Sequence, residues 1–340
     1  IVDQRQASEG NDDNNSDPTC RPPSEKSCQE NPLQILCKFR ENIDWMEYPA
    51  QLMTGPILAR HLAHRMYRGE YFALQVDSHV RFVANWDDDI ISQWYSTGNE
   101  MAVISTYMND ITNSIDPDTH ESLRTSRAMM CSLEYEWKGD PKEHIRFNIQ
   151  PTNKPKILDS PMLHPFFAAG FAFARGHFVV QVPYDQYLPF VFQGEEILQA
   201  VRSFTYGYDM YAPLRIKKKS YQRLNGIAGT TSPAEEFFDL KQDRYGLGEV
   251  RTKEQYFDTF GIHPSTRSVE EGLCDFVQGS FGVKSSMHAM FSPSLSYDNM
   301  GIDYSRVYYQ HRTPERTDTA VDPQELAYLR EKLAQNRSEK

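Results

Sequence analysis

Hydrophobic and polar positions follow two periodicities along the chain, and together they predict an α/β protein. Leu58, Leu62 and Met66 recur at intervals of four residues, which predicts a helix over residues 55–68. Short apolar runs predict buried strands at 71–76 and 101–105, with a helix at 87–95 between them. Strand and helix therefore alternate here, as they do in an α/β sheet with right-handed crossovers.

The rest of the chain continues this alternation less regularly. Further strands are predicted at 42–47, 129–135, 144–149, 178–182 and 208–212, and further helices at 195–205, 252–260 and 323–335. Residues 1–32 are predicted to be flexible, because they are rich in Asp, Asn, Ser, Glu and Pro and offer little apolar surface to offset the entropy of ordering. The predicted domain is 33–312, followed by a polar helix or tail at 313–340.

Charge and hydropathy exclude two classes of protein. The chain has 36 Lys and Arg against 47 Asp and Glu, a net charge of −11. Nucleic-acid binding requires clustered cations, so we expect no nucleic-acid partner. No apolar stretch approaches the roughly 18–20 residues of a membrane helix, and no cleavable signal peptide is visible, so we expect no membrane span in this sequence.

The five cysteines stand at irregular spacing, with no Cys-x-x-Cys pair that would indicate a structural zinc site. Cys20, Cys28 and Cys37 lie close together and could pair in an oxidising compartment. Reduced thiols in a cytosolic protein are the preferred interpretation.

The segment Asp77-Ser78-His79 follows the predicted strand at 71–76. A carboxylate and an imidazole two residues apart project to the same side of an extended chain, at the end of the sheet where α/β proteins bind ligands. These groups suit Mn²⁺ or a similar divalent ion. A turn aspartate followed by an ordinary histidine is the structural alternative.

Glu195 and Glu196 open the predicted helix at 195–205. Acidic residues in a first helical turn interact favourably with the helix dipole, so helix stabilisation is sufficient to explain them on sequence grounds alone.

Several motifs in order along the chain resemble those of the polypeptide α-N-acetylglucosaminyltransferases, the family that contains the Skp1-hydroxyproline GlcNAc-transferase. The motifs are Gly55-Pro56, Ala59-Arg60, Arg68-Gly69-Glu70-Tyr71, Leu74-Gln75-Val76-Asp77-Ser78-His79, Ala169-Gly170-Phe171, Val182-Pro183-Tyr184-Asp185, Gly194-Glu195-Glu196, Gly207-Tyr208-Asp209, Arg244-Tyr245-Gly246-Leu247-Gly248 and Gly301-Ile302-Asp303-Tyr304. The resemblance covers roughly residues 35–310.

The resemblance implies the GT-A fold, a Rossmann-like sheet that binds a nucleotide sugar and is joined to an acceptor-binding region. The implied reaction moves GlcNAc from UDP-GlcNAc to a protein hydroxyl, of hydroxyproline or of Ser/Thr, with retention of configuration and with Mn²⁺ or another divalent cation. A Skp1-like acceptor protein is the implied partner.

The same resemblance implies roles for individual residues. Asp77 and His79 would hold the metal, Glu195 and Glu196 would lie near the donor sugar and the incoming hydroxyl, and Asp185 would line the pocket. The residues implied to bind the donor are Gly55, Arg60, Gln75, Asp77, Ser78 and Lys219.

The chain departs from the family pattern in two places. It opens at Ile1-Val2-Asp3-Gln4, which is similar to the end of the family's second strand, so the first nucleotide-binding strand is expected to be missing. In the frame Lys219-Ser220-Tyr221-Gln222-Arg223, lysine stands where the family has a third metal-ligating histidine. An ammonium group cannot ligate a metal, although its charge can replace part of the metal's charge beside a diphosphate.

These departures leave two alternatives to the transferase hypothesis: a catalytically degenerate relative that binds a partner protein, and the same fold acting on another UDP-sugar. Members of the family occur in the cytosol and in the Golgi. Without a visible signal, a cytoplasmic location is predicted, and a Golgi location is the alternative if an N-terminal anchor has been lost.

Overall fold

The computed structural model describes residues 2–5, 24–49, 52, 54–78, 80–110, 114–123, 130–135, 145–147, 161–213, 220–221 and 246–269. The predicted helix at 323–335 and the candidate residues His79 and Lys219 lie outside these ranges. Within them, no helix is both long enough and apolar enough to cross a membrane.

Helices and strands alternate through the first half of the chain. The helices are α1 (Glu25–Glu30), α2 (Pro56–Arg65), α3 (Trp86–Ser96), α4 (His177–Gln181), α5 (Glu195–Thr205) and α6 (Lys253–Thr259), with a 3₁₀ helix at Ile35–Asn42. The strands are β1 (Val2–Arg5), β2 (Met46–Pro49), β3 (Phe72–Val76), β4 (Val80–Arg81), β5 (Ala102–Ser105), β6 (Asn109–Asp110), β7 (Leu133–Tyr135), β8 (Ile145–Phe147), β9 (Met162–Leu163), β10 (Phe171–Arg175), β11 (Asp209–Ala212), β12 (Ser220–Tyr221), β13 (Ile262–His263) and β14 (Ser268–Val269).

A five-stranded mixed sheet with the order β3-β10-β5-β11-β9 forms the centre of the described structure. β3, β5 and β11 run in one direction, and β10 runs antiparallel between β3 and β5. Val76 at the end of β3 lies opposite Phe171 at the start of β10, and Ser105 at the end of β5 lies opposite Ala172. The carboxyl ends of β3 and β5 therefore meet the amino end of β10 at one edge of the sheet.

Both faces of this sheet are covered by helices. Val103 and alternate residues of the other strands pack on one face with Phe204 of α5 and Tyr256 of α6. Ile104 and its neighbours pack on the other face with Trp94 of α3. Because both faces are buried, the strand sequences are continuous apolar runs and do not alternate between apolar and polar residues.

One predicted strand is a helix in the structure. Residues 178–182 are apolar except for Gln181, but α4 covers His177–Gln181. Four consecutive residues, His177 to Val180, are buried, so burial in this short segment follows no period that would distinguish a helix from a strand.

The first part of the chain contains more regular structure than its composition indicates. Val2–Arg5 form β1, which pairs in parallel with β2, and Glu25–Glu30 form α1. The strand predicted at 42–47 begins only at Met46, because the 3₁₀ helix extends to Asn42. The limits of the predicted domain at 33 and 312 stay predictions.

Disulfide bonds replace the reduced thiols expected from the sequence. Cys28 in α1 is bonded to Cys37 in the 3₁₀ helix, and the buried Cys131 is also disulfide-bonded. The interpretation of these three residues as free cysteines is therefore wrong. The Cys28–Cys37 bond attaches α1 to the 3₁₀ helix.

Candidate active site

The candidate site is built around Asp77, the first residue after β3. The backbone N–H of Asp77 donates a hydrogen bond to the carbonyl of Gly170 (3.2 Å), just before β10. A Cβ atom on Gly170 would lie 2.9 Å from Oδ2 of Asp77. The absence of a side chain at Gly170 therefore leaves the space that the Asp77 carboxylate occupies.

Arg60 of α2 connects Asp77 to the start of α5. Its Nη2 donates to Oδ1 of Asp77 (3.1 Å), and its Nη1 donates to Oε1 of Glu195 (2.6 Å). One guanidinium thus joins two carboxylates that are 118 residues apart in sequence and belong to different elements. Among the described residues, one guanidinium therefore serves two carboxylates.

Glu195 is buried, with a side chain only 5% exposed. Its second oxygen, Oε2, is buried and has no hydrogen-bond partner among the described residues. Burial raises the pKa of Glu195 although the neighbouring Arg60 lowers it. The unpartnered oxygen is an acceptor that a ligand hydroxyl could satisfy, since a buried polar atom left without a partner is costly.

Glu196 is held by two donors from outside its own helix. Its Oε1 accepts from the backbone N–H of Ala169 (2.8 Å), and its Oε2 accepts from the hydroxyl of Tyr107. Burial raises the pKa of Glu196 to about 7, although the Tyr107 hydrogen bond opposes this rise. A carboxyl group with this pKa exchanges its proton near neutral pH, as general acid–base catalysis requires.

Gln75 supports the turn at Ala169 and Gly170, which is hydrogen-bonded to Glu196 and to the backbone of Asp77. Its Nε2 donates to the carbonyl of Ala169 (2.6 Å) and to the hydroxyl of Tyr184 (3.0 Å), and its Oε1 lies 3.2 Å from Nε2 of His64. Burial lowers the pKa of His64 to about 3, so this histidine is neutral and donates to Gln75. The side chain of Gln75, which was predicted to bind the donor, is therefore bonded to the backbone of Ala169 and to Tyr184.

The other predicted residues lie around this centre. Gly55 precedes α2 with a φ of 109°, a value that favours glycine. Ser78 is exposed. Asp185 accepts a hydrogen bond from the backbone N–H of Tyr187 (2.8 Å), as a turn residue does, and burial raises its pKa.

Residues 3–226 match the family model described as "Glycosyltransferase (GlcNAc)". The chain belongs to this glycosyltransferase family. Family membership and the mixed α/β sheet together confirm the predicted GT-A fold class. The Skp1-hydroxyproline branch is a finer assignment than this match provides.

Comparison with individual proteins adds little to the family assignment. No curated protein is significantly similar to the chain. Among solved structures, the chain is similar to GalNAc-T7 crystallised with UDP, GalNAc and Mn²⁺, with 13% sequence identity and a TM-score of 0.38. The alignment covers 92% of this chain and 47% of GalNAc-T7, so the chain spans about half the length of that protein. A likeness this low is no basis for a shared substrate.

Of the two predicted metal ligands, Asp77 lies among the described residues and His79 does not. The described residues contain no group of three or more His, Cys, Asp or Glu that could hold a metal ion. Asp77 is of the ligand type that hard divalent cations prefer, so it is compatible with a cation as one ligand among several. Its bond to Arg60 means that the guanidinium already neutralises part of its charge.

Sequence reasoning missed Tyr107 and the backbone N–H of Ala169, the two donors to Glu196. Tyr107 follows the end of β5 by two residues, as Asp77 follows the end of β3 by one. This shared position at the carboxyl ends of parallel strands was a usable signal. The N–H of Ala169 leaves no trace in the sequence, because any residue except proline has one.

Proposed function

We propose that the chain transfers GlcNAc from UDP-GlcNAc to a protein hydroxyl, with retention of configuration and with the help of a divalent cation such as Mn²⁺. The observation that carries this proposal is the cluster of Arg60, Asp77, Glu195 and Glu196 at the carboxyl edge of the central sheet, in a chain of the GlcNAc glycosyltransferase family. Ligands of α/β sheets bind at this edge.

The proposed roles of the two glutamates differ because their surroundings differ. Glu195 accepts a hydrogen bond from a hydroxyl of the donor sugar through the oxygen that Arg60 leaves free. Glu196, with a pKa of about 7, takes the proton of the incoming acceptor hydroxyl. The hydroxyl oxygen bonds to C1 of the sugar as the C1–O bond to UDP breaks, on the face from which UDP departs, so that configuration is retained. Arg60 lowers the pKa of Glu195 against the effect of burial, which raises it, and fixes Glu195 in position relative to Asp77.

The proposed cation site consists of Asp77 and His79. A divalent cation held there supplies positive charge against the diphosphate leaving group. Gly55, Ser78 and Lys219 are proposed to line the same donor site, with Asp185 at its margin. The role of Gln75 is to hold the turn at Ala169, which in turn holds Glu196.

The disulfide bonds support a location in an oxidising compartment, and we propose the Golgi alternative over the cytoplasm for this reason. Cys28–Cys37 and the bonded Cys131 belong to a class of bonds that is rare in the cytosol. Quantifying free thiols in protein from the native source tests this assignment. Fully alkylatable Cys28 and Cys37 would return the prediction to the cytoplasm.

UDP release by the purified chain tests the function. The expected result is release from UDP-GlcNAc in preference to UDP-GalNAc, UDP-Gal and UDP-Glc, with stimulation by Mn²⁺ and loss in Glu196→Gln. Preference for another sugar would correct the donor. A folded chain that releases no UDP from any donor would contradict the enzyme hypothesis.

A catalytically degenerate binding protein is the second candidate. Two observations favour it: Lys219 replaces the family's histidine, and Arg60 already pairs with Asp77. Calorimetric titration with UDP, with and without Mn²⁺, separates the candidates. Binding of UDP strengthened by Mn²⁺ supports the transferase, and no binding supports the degenerate relative.

A further inference from the structure

Three aromatic side chains lie exposed in residues 185–193, a segment named here the aromatic loop. Tyr187, Phe190 and Phe192 are 50%, 45% and 58% exposed. Single exposed apolar residues are normal on a protein surface, but three aromatic rings within six residues form a patch. Tyr and Phe are also large, rigid side chains of the kind that supplies binding energy at interfaces.

Three contacts attach this loop to the rest of the protein or to itself. Leu188 is buried, and Asp185 accepts the backbone N–H of Tyr187 (2.8 Å). The backbone N–H of Phe190 donates to the carbonyl of Thr54, just before α2. Phe190 has a φ of 60°, in the left-handed region that is unfavourable for a residue other than glycine. Strained residues of this kind concentrate at functional sites.

The aromatic loop adjoins the candidate active site at both of its attachments. Phe192 precedes Glu195 by three residues, so their Cα atoms are at most about 11 Å apart. Thr54, which anchors Phe190, directly precedes Gly55 and the helix that carries Arg60. A molecule that lies on the aromatic loop is therefore within reach of Glu195 and Glu196.

The composition of the aromatic loop favours a polypeptide over a nucleotide. Residues 185–193 contain one aspartate and no lysine or arginine, whereas diphosphates are bound by cationic side chains. Rows of exposed aromatic side chains are the surfaces on which extended, proline-containing peptides dock. The acidic residue and the chain's net charge of −11 favour a neutral or basic peptide over an acidic one.

We propose that the aromatic loop binds the acceptor polypeptide, as an extended, uncharged or basic segment with proline or aliphatic residues beside the modified hydroxyl. This inference rests on the proposed function, because it assigns the acceptor side of the same site. The aromatic loop binds the acceptor and not the UDP-sugar donor. Measurements of peptide binding therefore test the loop proposal separately from measurements of UDP release, which test the transferase function.

The test uses fluorescently labelled synthetic peptides that carry one serine, threonine or hydroxyproline flanked by proline and alanine. Their binding to the full chain is measured by anisotropy for the wild type, Phe192→Ala and Tyr187→Ala. Phe39→Ala is the matched control, since Phe39 is 53% exposed on the 3₁₀ helix. We expect both loop variants to weaken peptide binding by about tenfold or more, with Phe39→Ala unchanged.

UDP binding and peptide-independent UDP release are measured on the same variants, and both are expected to be unchanged. Equal peptide affinity in Phe192→Ala and Phe39→Ala, or no peptide binding by the wild type, would overturn the proposal. Weaker UDP binding in Phe192→Ala would assign the loop to the donor and overturn it too. Peptide binding without any UDP release would support the loop proposal and count against the transferase function.

Discussion

Two ion-pair clusters lie at opposite edges of the central sheet, and they differ in whether their carboxylate oxygens are all hydrogen-bonded. At the amino end of β11, Asp209 accepts from Arg251 through Oδ1 (2.8 Å) and from Asn99 through Oδ2 (2.8 Å). At the carboxyl end of β3, Arg60 faces both Asp77 and Glu195. The first cluster is neutral and both of its carboxylate oxygens are bonded.

The difference indicates which cluster serves the fold and which serves a ligand. The Asp209 pair joins the segment before α6 to the central sheet, and the Arg251 guanidinium also stacks 4.6 Å from the ring centre of Phe204. Nη2 of Arg251 is buried without a hydrogen-bond partner among the described residues, but both oxygens of the Asp209 carboxylate are bonded, so no acceptor is left there for a ligand hydroxyl. The Arg60 cluster joins one guanidinium to two carboxylates and contains a buried carboxylate oxygen without a partner among the described residues. Such a cluster is completed by a cation or by a hydrogen-bond donor on a ligand.

Glu196→Gln tests the carboxyl edge of the sheet, where the candidate active site lies, and has the largest expected effect on activity. We expect the rate of sugar transfer to fall on the order of 10²–10⁴-fold, because an amide cannot accept the acceptor's proton. The free energy of unfolding should change by no more than about 1 kcal/mol, because the lost carboxylate was itself costly to bury. UDP release and urea denaturation on the same preparation measure both quantities. A stability loss that matches the activity loss would show that Glu196 is structural.

Asp209→Ala tests the opposite edge and should give the reverse result. Arg251 would be left buried without its carboxylate, which typically costs about 3–5 kcal/mol of unfolding free energy. UDP binding by the folded fraction should be unchanged. The double variant Asp209→Leu with Arg251→Met is the control, since it removes both charges and should recover much of the stability. A single variant as stable as the wild type would contradict the comparison.

The two edges also differ in how well the sequence predicts them. The residues that follow β3 and open α5 were predicted, because their polarity stands out beside apolar runs. The bond from Arg60 to Glu195 joins residues 135 positions apart, and no local pattern records it. The insertion of β10 antiparallel between β3 and β5 is likewise a strand order that periodicity does not encode.

The helix α4 shows the same limit at the level of single elements. α2, β3 and α5 each have a polar side or a clear boundary, and their predicted positions agree with the structure to within a few residues. Four consecutive residues of α4 are buried, so the spacing of apolar residues does not distinguish a helix from a strand. The prediction of a strand was wrong for this reason. His79 and Lys219 stay predictions.

Glu195→Gln tests whether the unpartnered oxygen receives a ligand. The amide oxygen can keep the bond from Arg60, but an NH₂ group then replaces Oε2 and cannot accept a hydroxyl proton. We expect UDP-GlcNAc binding to weaken by about 1.5–3 kcal/mol, the range for hydrogen bonds to charged groups. Asp209→Asn is the matched control at the opposite edge and should leave calorimetric affinity unchanged. Equal affinities of the Glu195 variant and the wild type would contradict the proposed role.

Tyr107→Phe has the smallest expected effect and tests how the protein sets the proton affinity of Glu196. The Tyr107 hydroxyl donates to the carboxylate and so lowers its pKa, against the larger effect of burial, which raises it to about 7. Removing the hydroxyl should raise this pKa further, by up to about one unit, the equivalent of one hydrogen bond of about 1.4 kcal/mol.

The sign of the pH dependence follows from this shift. Because the pKa of Glu196 is higher in the folded chain than its ordinary value of 4.5, this group stabilises the fold below pH 4.5, and that stabilisation is lost as the pH rises through about 7. In Tyr107→Phe the loss should extend to higher pH, and the rise of transfer rate with pH should move in the same direction. An unshifted pH profile of the transfer rate in Tyr107→Phe would mean that Glu196 does not exchange the proton. The two edges of the sheet would then differ in the hydrogen bonding of their carboxylates but not in acid–base chemistry.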